Sequence, residues 1–200
     1  MAINVTTPPT VEPVTLDEVK LHCRVDVNDD DTLLDSLIAV ARQYCEVFTG
    51  RVFITQTIQY DLQRWPSGKA IHLPRPPLQS VTSVTWWDTE GNDTVLTAGT
   101  DYLVDTSPTF GTVLLPYSGR WPSEILYPVH PIRIEYLAGY GDNAADVPEY
   151  IKAAIKLLVG NWYENREQVL PAGHVGKELP MGAQSLLWQE RTFWTEEMNR

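Results

Sequence analysis

The chain has 200 residues, a formal net charge of −11, 43% hydrophobic residues and seven tryptophans. This length fits one domain of ordinary size or two small ones, and the hydrophobic content excludes a disordered chain. Because affinity for DNA comes from Lys and Arg on phosphates, such an acidic chain is a poor candidate for sequence-specific DNA binding. No apolar run approaches the roughly 20 residues of a membrane helix, so we expect no membrane partner.

The acidic surplus is concentrated near the start of the chain. Residues 1–50 carry nine acids against three bases, residues 51–140 carry eight against six, and residues 141–200 carry nine against six. More than half of the excess charge therefore lies on the first quarter of the chain.

The first quarter predicts an extended arm followed by two helices. Residues 1–14 are rich in Thr and Pro and have neither the basic start nor the apolar core of a signal peptide, which favours an extended N-terminal arm. Thr15 and Glu18 have the spacing of a capping box, which predicts a helix from Thr15 to about Arg24. Apolar residues at three- and four-residue spacing predict a stronger helix over 31–48, with Gly50 as its stop.

Cys23 and Cys45 both fall on these predicted helices. Two buried thiols in a reducing cytoplasm are favoured over a disulfide.

The hydrophobic period changes to two after residue 51. Alternation over 52–62 predicts a strand, and short strands are predicted at 70–73, 80–87, 93–96, 102–105, 112–115 and 132–137. Most of the fifteen prolines lie in this stretch, and Pro is tolerated at strand edges and in turns. The pattern predicts a small antiparallel barrel or sandwich.

Helices return near the C-terminus. Asp146 to Glu149 combines a capping acid with Pro in the first turn, and an apolar stripe then runs to Tyr163. A last short helix is predicted from Ala183 to about Trp194. The predicted fold class is α+β: a small helical bundle, formed by 15–50 plus 146–200, interrupted by an inserted β domain at 51–145.

The motif search finds no catalytic residues and no metal site. There is no phosphate-binding loop and no Cys-x-x-Cys or His-Glu-x-x-His, and the four histidines are scattered one per segment. Residues 26–31 resemble the start of a calcium loop. However, Asp31 stands at the position that requires Gly, and Leu37 stands at the position that requires a bidentate Glu. A solvated helix cap is therefore favoured there, and we expect no enzyme, no cofactor and no metal.

Three features of the β stretch also favour structural interpretations. Pro74 to Pro77 fits Pro-x-x-Pro but is more typical of a corner or an edge. Trp86 and Trp87 are adjacent on a strand, so at most one faces the core, and the other suits an interface better than a stacking platform. The arginines of this stretch are spaced without a cluster.

Several segments follow one another in a characteristic order: 14–26 (VTLDEVKLHCRVD), 37–46, 73–81 (LPRPPLQSV), 136–141 (YLAGYG), 147–152, 161–167 (NWYENRE) and 180–191. No single one of these motifs is specific, but their order along the chain is. In this order the chain resembles the head–tail connector proteins of tailed bacteriophages, in a long form with a β insertion.

This resemblance implies a structural virion protein of the phage neck. It implies a ring, commonly of about a dozen subunits, that joins portal to tail around the DNA exit channel after packaging. The implied partners are other copies of the chain, the portal protein and a tail or stopper protein, while DNA passes nearby without sequence-specific binding. The implied location is the virion neck, after synthesis in the bacterial host cytoplasm; a monomer in isolation is compatible with this role.

Two sets of residues are candidates for this function. If the helices build the ring, we expect interface residues at Trp162, Tyr163, Arg166, Leu186, Leu187 and Trp188. Because an acidic lumen repels phosphates and leaves DNA able to slide, we expect the channel to be faced by Asp26, Asp29, Asp30, Asp31 and Asp35.

Two alternatives remain open at this point. The first is another neck component, such as a stopper or a tail-completion protein, which differs from a connector in position only. The second is a hydrolase or carbohydrate-binding module built on the β domain, which would need a pocket with convergent polar groups.

Overall fold

The computed structural model describes residues 2–165 and 181–199. In this part of the chain it contains four α-helices and eight β-strands, which confirms the α+β class. The described residues group into two units, one formed by 2–9, 55–140 and 193–199, and the other by 10–54, 141–165 and 181–192. These limits differ from the proposed domain boundaries at the margins, because residues 2–7 and 193–199 lie in the β-rich unit.

The second unit, called the helical unit below, holds all four α-helices. They are α1 (Leu16–Cys23), α2 (Asp31–Thr49), α3 (Glu149–Glu164) and α4 (Met181–Trp188). Helix α1 begins with the predicted capping box: the Thr15 hydroxyl accepts the Glu18 N–H, and the Glu18 carboxylate accepts the Thr15 N–H at 2.8 Å. Helix α2 ends at Gly50, whose φ of 71° is the left-handed conformation expected of a helix stop.

The helices bury their apolar faces against one another. Helix α3 packs on α2 and α4, and α1 packs on α2 and α3. Leu34, Ile38, Ile155 and Leu158 are almost completely buried, each contributing roughly 1.5–3 kcal/mol of hydrophobic stabilisation. None of the described helices combines the length and hydrophobicity needed to cross a bilayer.

Two predicted helix ends differ from the structure. Helix α3 begins at Glu149, because residues 144–146 form a separate short 3₁₀ helix and Pro148 precedes the first helical turn. Helix α4 ends at Trp188 rather than near Trp194, and the chain continues to a 3₁₀ turn at Glu196–Asn199.

The first unit, called the β unit below, contains two antiparallel sheets. A five-stranded sheet has the order β1-β2-β8-β4-β5, and a three-stranded sheet has the order β3-β7-β6. The described strands form these open sheets rather than a closed barrel. The strands are β1 (Ala2–Thr7), β2 (Gln56–Leu62), β3 (Ala70–His72), β4 (Leu78–Trp87), β5 (Asp93–Val95), β6 (Leu103–Asp105), β7 (Thr112–Leu114) and β8 (Ile132–Ala138).

Strand β1 is a feature that the sequence pattern did not predict. The predicted extended arm pairs with β2, with Ala2 opposite Asp61 and Val5 opposite Ile58. Most of its side chains are exposed, so the backbone ladder rather than an alternating apolar pattern holds it in place. The strand predicted over 52–62 is shorter in the structure. Strand β2 begins at Gln56, and residues 52–54, which precede it, are buried.

Residues 193–199 pack against the β unit. The Asn199 side chain is buried, accepts the His72 N–H at 2.7 Å, and donates to the His72 carbonyl oxygen and the Tyr60 hydroxyl. The Trp194 ring meets the Tyr60 ring edge to face, with centroids 5.9 Å apart. Trp194 and Asn199 therefore attach this segment to the β unit.

Candidate interaction surfaces

A buried charge network holds the segment that precedes α1. The Arg42 guanidinium donates to the Glu46 carboxylate at 2.8 Å and to the Glu12 carboxylate at 2.7 Å. The other Glu46 oxygen accepts the Phe53 N–H at 3.1 Å. Because Arg42 and Glu46 are both buried on α2, this network joins Glu12 and Phe53 to one helix and gives the segment around Glu12 a defined position.

That segment forms one wall of a groove on the helical unit. The groove has a volume of about 510 Å³ and a mainly apolar lining. Buried Val14 and Ile38 lie at its base, while half-exposed Val11 and Ala39 border it. The exposed Asp35 also lines it. A concave apolar surface with a carboxylate at its border suits an apolar side chain accompanied by a cation.

The five acids expected to face the channel differ in their environments. Lys20 forms an ion pair with Asp31 at 2.7 Å, and the Tyr163 hydroxyl donates to the Asp30 carboxylate at 2.6 Å. Asp35 lines the groove. Asp26 and Asp29 are exposed in the connection between α1 and α2, and no described residue forms an ion pair with either. Asp26 and Asp29 are thus the strongest candidates for a repulsive acidic surface.

The residues expected at the ring interface are also placed differently from one another. Trp162 and Tyr163 are half-buried at the end of α3, and the Trp162 ring meets Tyr44 edge to face at 6.0 Å. Leu187 is fully buried, Leu186 is half-buried, and Trp188 is 55% exposed. Arg166 lies outside the described residues. Trp188, which contacts Phe48 and Arg191 along one side, presents the largest accessible apolar area of this set.

A second surface lies at one end of the β unit. The sheet register pairs Ile132 with both Leu62 and Trp86, so β2 ends, β4 ends and β8 begins at the same place. We call the connections there, 63–69, 88–92 and 115–131, the loop end. Large apolar side chains are exposed on its 115–131 connection: Tyr117 (100%), Ile125 (79%), Tyr127 and Val129.

Two connections of the loop end are joined by aromatic and polar contacts. The Trp65 and Trp121 rings stack with centroids 4.9 Å apart, and the Trp121 indole N–H donates to the Gly68 carbonyl at 2.8 Å. The Lys69 ammonium donates to the Tyr117 carbonyl at 2.7 Å and lies near the Tyr117 ring. The 63–69 and 115–131 connections, far apart in the sequence, are therefore held together.

A cleft of about 520 Å³ borders this end of the β unit. Trp86, Trp121, Arg120 and Asp101 are among its lining residues. The Asp101 carboxylate accepts the Thr97 N–H at 2.7 Å, which stabilises a turn. Trp86 is buried, whereas Trp87 is half-exposed with the Arg133 guanidinium over its ring. The Asp101 carboxylate therefore has a structural partner within the β unit.

Metal and thiol chemistry have little support in the described residues. No group of three or more His, Cys, Asp or Glu side chains among them could hold a metal ion. Cys23 and Cys45 are free thiols, the first half-buried and the second buried. Burial, with Glu46 nearby, raises the pKa of Cys45 from its ordinary value of 9.0 to about 12, and burial also raises the pKa of Cys23. Both thiols are consequently neutral at physiological pH and poor nucleophiles.

The family comparison covers α1, α2 and much of the β unit. Residues 13–105 match the family model described as phage gp6-like head-tail connector protein. The resemblance to head–tail connectors is therefore confirmed. Asp26, Asp29 and the groove residues Val14, Asp35 and Ile38 lie within the matched range.

The solved structures share the fold over nearly the whole chain. A chain of the virion of the native gene transfer agent particle matches with a TM-score of 0.79 and 22% identity, covering 98% of this chain and 97% of that one. Chains from the neck of the empty particle, computed with C6 symmetry, and of the native particle, computed with C12 symmetry, match with TM-scores of 0.80 and 0.75. Their identities are 20% and 21%, and each match covers 100% of both chains. No curated protein matches.

Proposed function

We propose that this chain is a structural, non-enzymatic protein of the neck of a tailed phage or phage-like particle. In this proposal its copies form a ring that joins the portal to the tail around the DNA exit channel. The observation that carries it is the match of residues 13–105 to head-tail connector proteins. The fold is also similar, over the complete chain, to chains from neck structures computed with C6 and C12 symmetry, which adds support for a ring.

The surfaces of the helical unit fit that role. A closed ring needs a contact in which one surface meets a different surface of the neighbour. Exposed Trp188, with half-buried Trp162, Tyr163 and Leu186 on the same unit, provides apolar area for such contacts. Arg166 and Leu187 stay in the proposed set, but Leu187 would act through packing because its side chain is covered within the protomer.

The proposed channel lining rests on the acidic first quarter of the chain. Exposed Asp26 and Asp29 would present carboxylates to passing phosphates, so that DNA is repelled and slides without being bound. Asp30, Asp31 and Asp35 add negative potential, reduced at Asp31 by the Lys20 ion pair.

Imaging of the full chain mixed with its cognate portal ring tests the proposed position. We expect negative-stain images in which portal rings carry an added ring of density, at micromolar protein concentrations. A stopper or tail-completion protein would leave bare portal rings undecorated and bind only after another neck protein had been added. Undecorated portal rings at all concentrations would therefore contradict the proposal, and binding to a preformed portal–connector complex would favour that alternative.

A further inference from the structure

The helical unit carries an open apolar groove, and the β unit carries a loop with exposed apolar side chains. The groove on the helical unit is concave, apolar and open, with Val14 and Ile38 at its base. The 115–131 connection of the β unit instead exposes apolar side chains to solvent: Tyr117 is completely exposed and Ile125 is 79% exposed. Exposed aromatic and aliphatic side chains on one loop are characteristic of surfaces that a partner covers.

The charges of the two surfaces are complementary. Asp35 lines the groove and Arg120 lies three residues after Tyr117 on the exposed loop. Both side chains are exposed, and no described residue forms an ion pair with either one. The loop lies in acid-free sequence from 106 to 123, within a chain whose net charge is −11. An acidic border on the groove therefore matches the only base of that acid-free stretch.

We infer that the 115–131 connection of one copy docks into the groove of the next copy in the ring. The occupant is a second copy because both surfaces belong to the same chain and each is open in the protomer. Tyr117 or Ile125 would fill the apolar groove over Val14 and Ile38, while Arg120 would pair with Asp35 at its border. Asp35 would then belong to the contact between copies rather than to the channel lining. This inference rests on the proposed ring, because a contact between two different surfaces propagates from copy to copy.

A cross-linking experiment on rings assembled on the cognate portal tests this contact. Val11→Cys at the groove and Ser118→Cys beside Tyr117 are introduced together in a Cys23→Ser background, while buried Cys45 is retained. A short bismaleimide is expected to produce a ladder of covalent multimers on a denaturing gel. A mixture of the two single-cysteine proteins is expected to stop at dimers. The matched control joins Ser118→Cys with Gln43→Cys, an exposed α2 position outside the groove, and should remain monomeric.

Charge reversal identifies the partners within the contact. Asp35→Arg or Arg120→Asp alone is expected to reduce the multimer yield by about fivefold or more, and the double variant to recover most of it. Glu90→Arg, a reversal in the 88–92 connection, is the control and should leave the yield unchanged.

The possible results separate this inference from the proposed function. Portal-bound rings that form normally but give no ladder would overturn the docking inference and leave the ring proposal intact. A Val11–Ser118 product confined to dimers would overturn it as well, because it indicates a two-fold contact. Absence of rings with the unmodified chain would overturn the proposed function and, with it, this inference.

Discussion

At the scale of single residues, the buried pair Arg42–Glu46 has the clearest energetic role. Each side chain is less than a tenth exposed, and the pair satisfies the Phe53 N–H and holds Glu12 beside the groove. Burying two charges is costly, so such a pair is not evidence of high stability by itself. Removing one partner lowers the free energy of unfolding, because the remaining charge stays buried without its counterion.

Glu46→Ala is therefore expected to lower the free energy of unfolding by roughly 3–5 kcal/mol. Urea unfolding followed by far-ultraviolet circular dichroism measures the loss. Glu12→Ala is the matched control: its carboxylate is 31% exposed and Arg42 keeps Glu46, so about 1 kcal/mol or less is expected. If Glu46→Ala does not fold, Glu46→Gln keeps an acceptor for Phe53 and should show an intermediate loss. Equal losses in the Glu12 and Glu46 variants would contradict this account.

At the scale of elements, the 3₁₀ turn at Glu196–Asn199 belongs to the β unit, which also contains residues 2–9 near the start of the chain. Asn199 connects it to β2 through the Tyr60 hydroxyl and to β3 through the His72 backbone. Because β3 is an edge strand of its described sheet, the buried Asn199 amide bonds backbone groups of His72 that a neighbouring strand would otherwise pair. The last residues of the described chain thus act as a structural element of the β unit.

Asn199→Ala is expected to destabilise the chain by about 1–3 kcal/mol, because it leaves buried polar groups of His72 and Tyr60 without these hydrogen bonds. Thermal unfolding monitored by tryptophan fluorescence is a suitable measurement, since Trp194 packs on Tyr60. Met198→Ala, at a neighbouring exposed residue, should change stability by about 0.5 kcal/mol or less. A larger loss from Met198→Ala than from Asn199→Ala would refute the importance of the Asn199 contacts.

At the scale of the whole molecule, the net charge of −11 is distributed unevenly over the surfaces. Lys20 neutralises Asp31, whereas Asp26 and Asp29 are exposed without a described ion-pair partner. A ring repeats each of these charges once per copy, so a small local potential would become a band of negative charge around the proposed channel. In the proposed ring, such a band would repel DNA rather than bind it.

Replacing both exposed acids, as Asp26→Lys with Asp29→Lys, is expected to slow DNA release from assembled particles by about threefold or more, because phosphates would be attracted to the channel wall. Release can be followed by the fluorescence of a DNA-binding dye after ejection is triggered, and the slowing should diminish as salt is raised. The control changes Glu90 and Asp93 to Lys, two exposed acids of the β unit. Unchanged release in the Asp26 and Asp29 variant, or equal slowing in both variants, would contradict the proposed channel lining.

The sequence by itself determined the elements whose signals are local. The Thr15–Glu18 capping box, the apolar spacing of α2 and the Gly50 stop are encoded within a few residues of where they act, so α1 and α2 are predicted nearly to the residue. Alternation within β4 and β8 likewise marks them as strands. The unusual order of segments also indicated the connector resemblance.

Only the tertiary structure decided the features that depend on distant partners. Strand β1 forms because β2 supplies its hydrogen bonds, although its own side chains are mostly exposed. The groove needs the Glu12 segment and α2 together, and the loop end needs Trp65 to stack on Trp121 from another connection. Local propensity cannot encode such features, because their stability comes from long-range pairing and burial once the chain has folded.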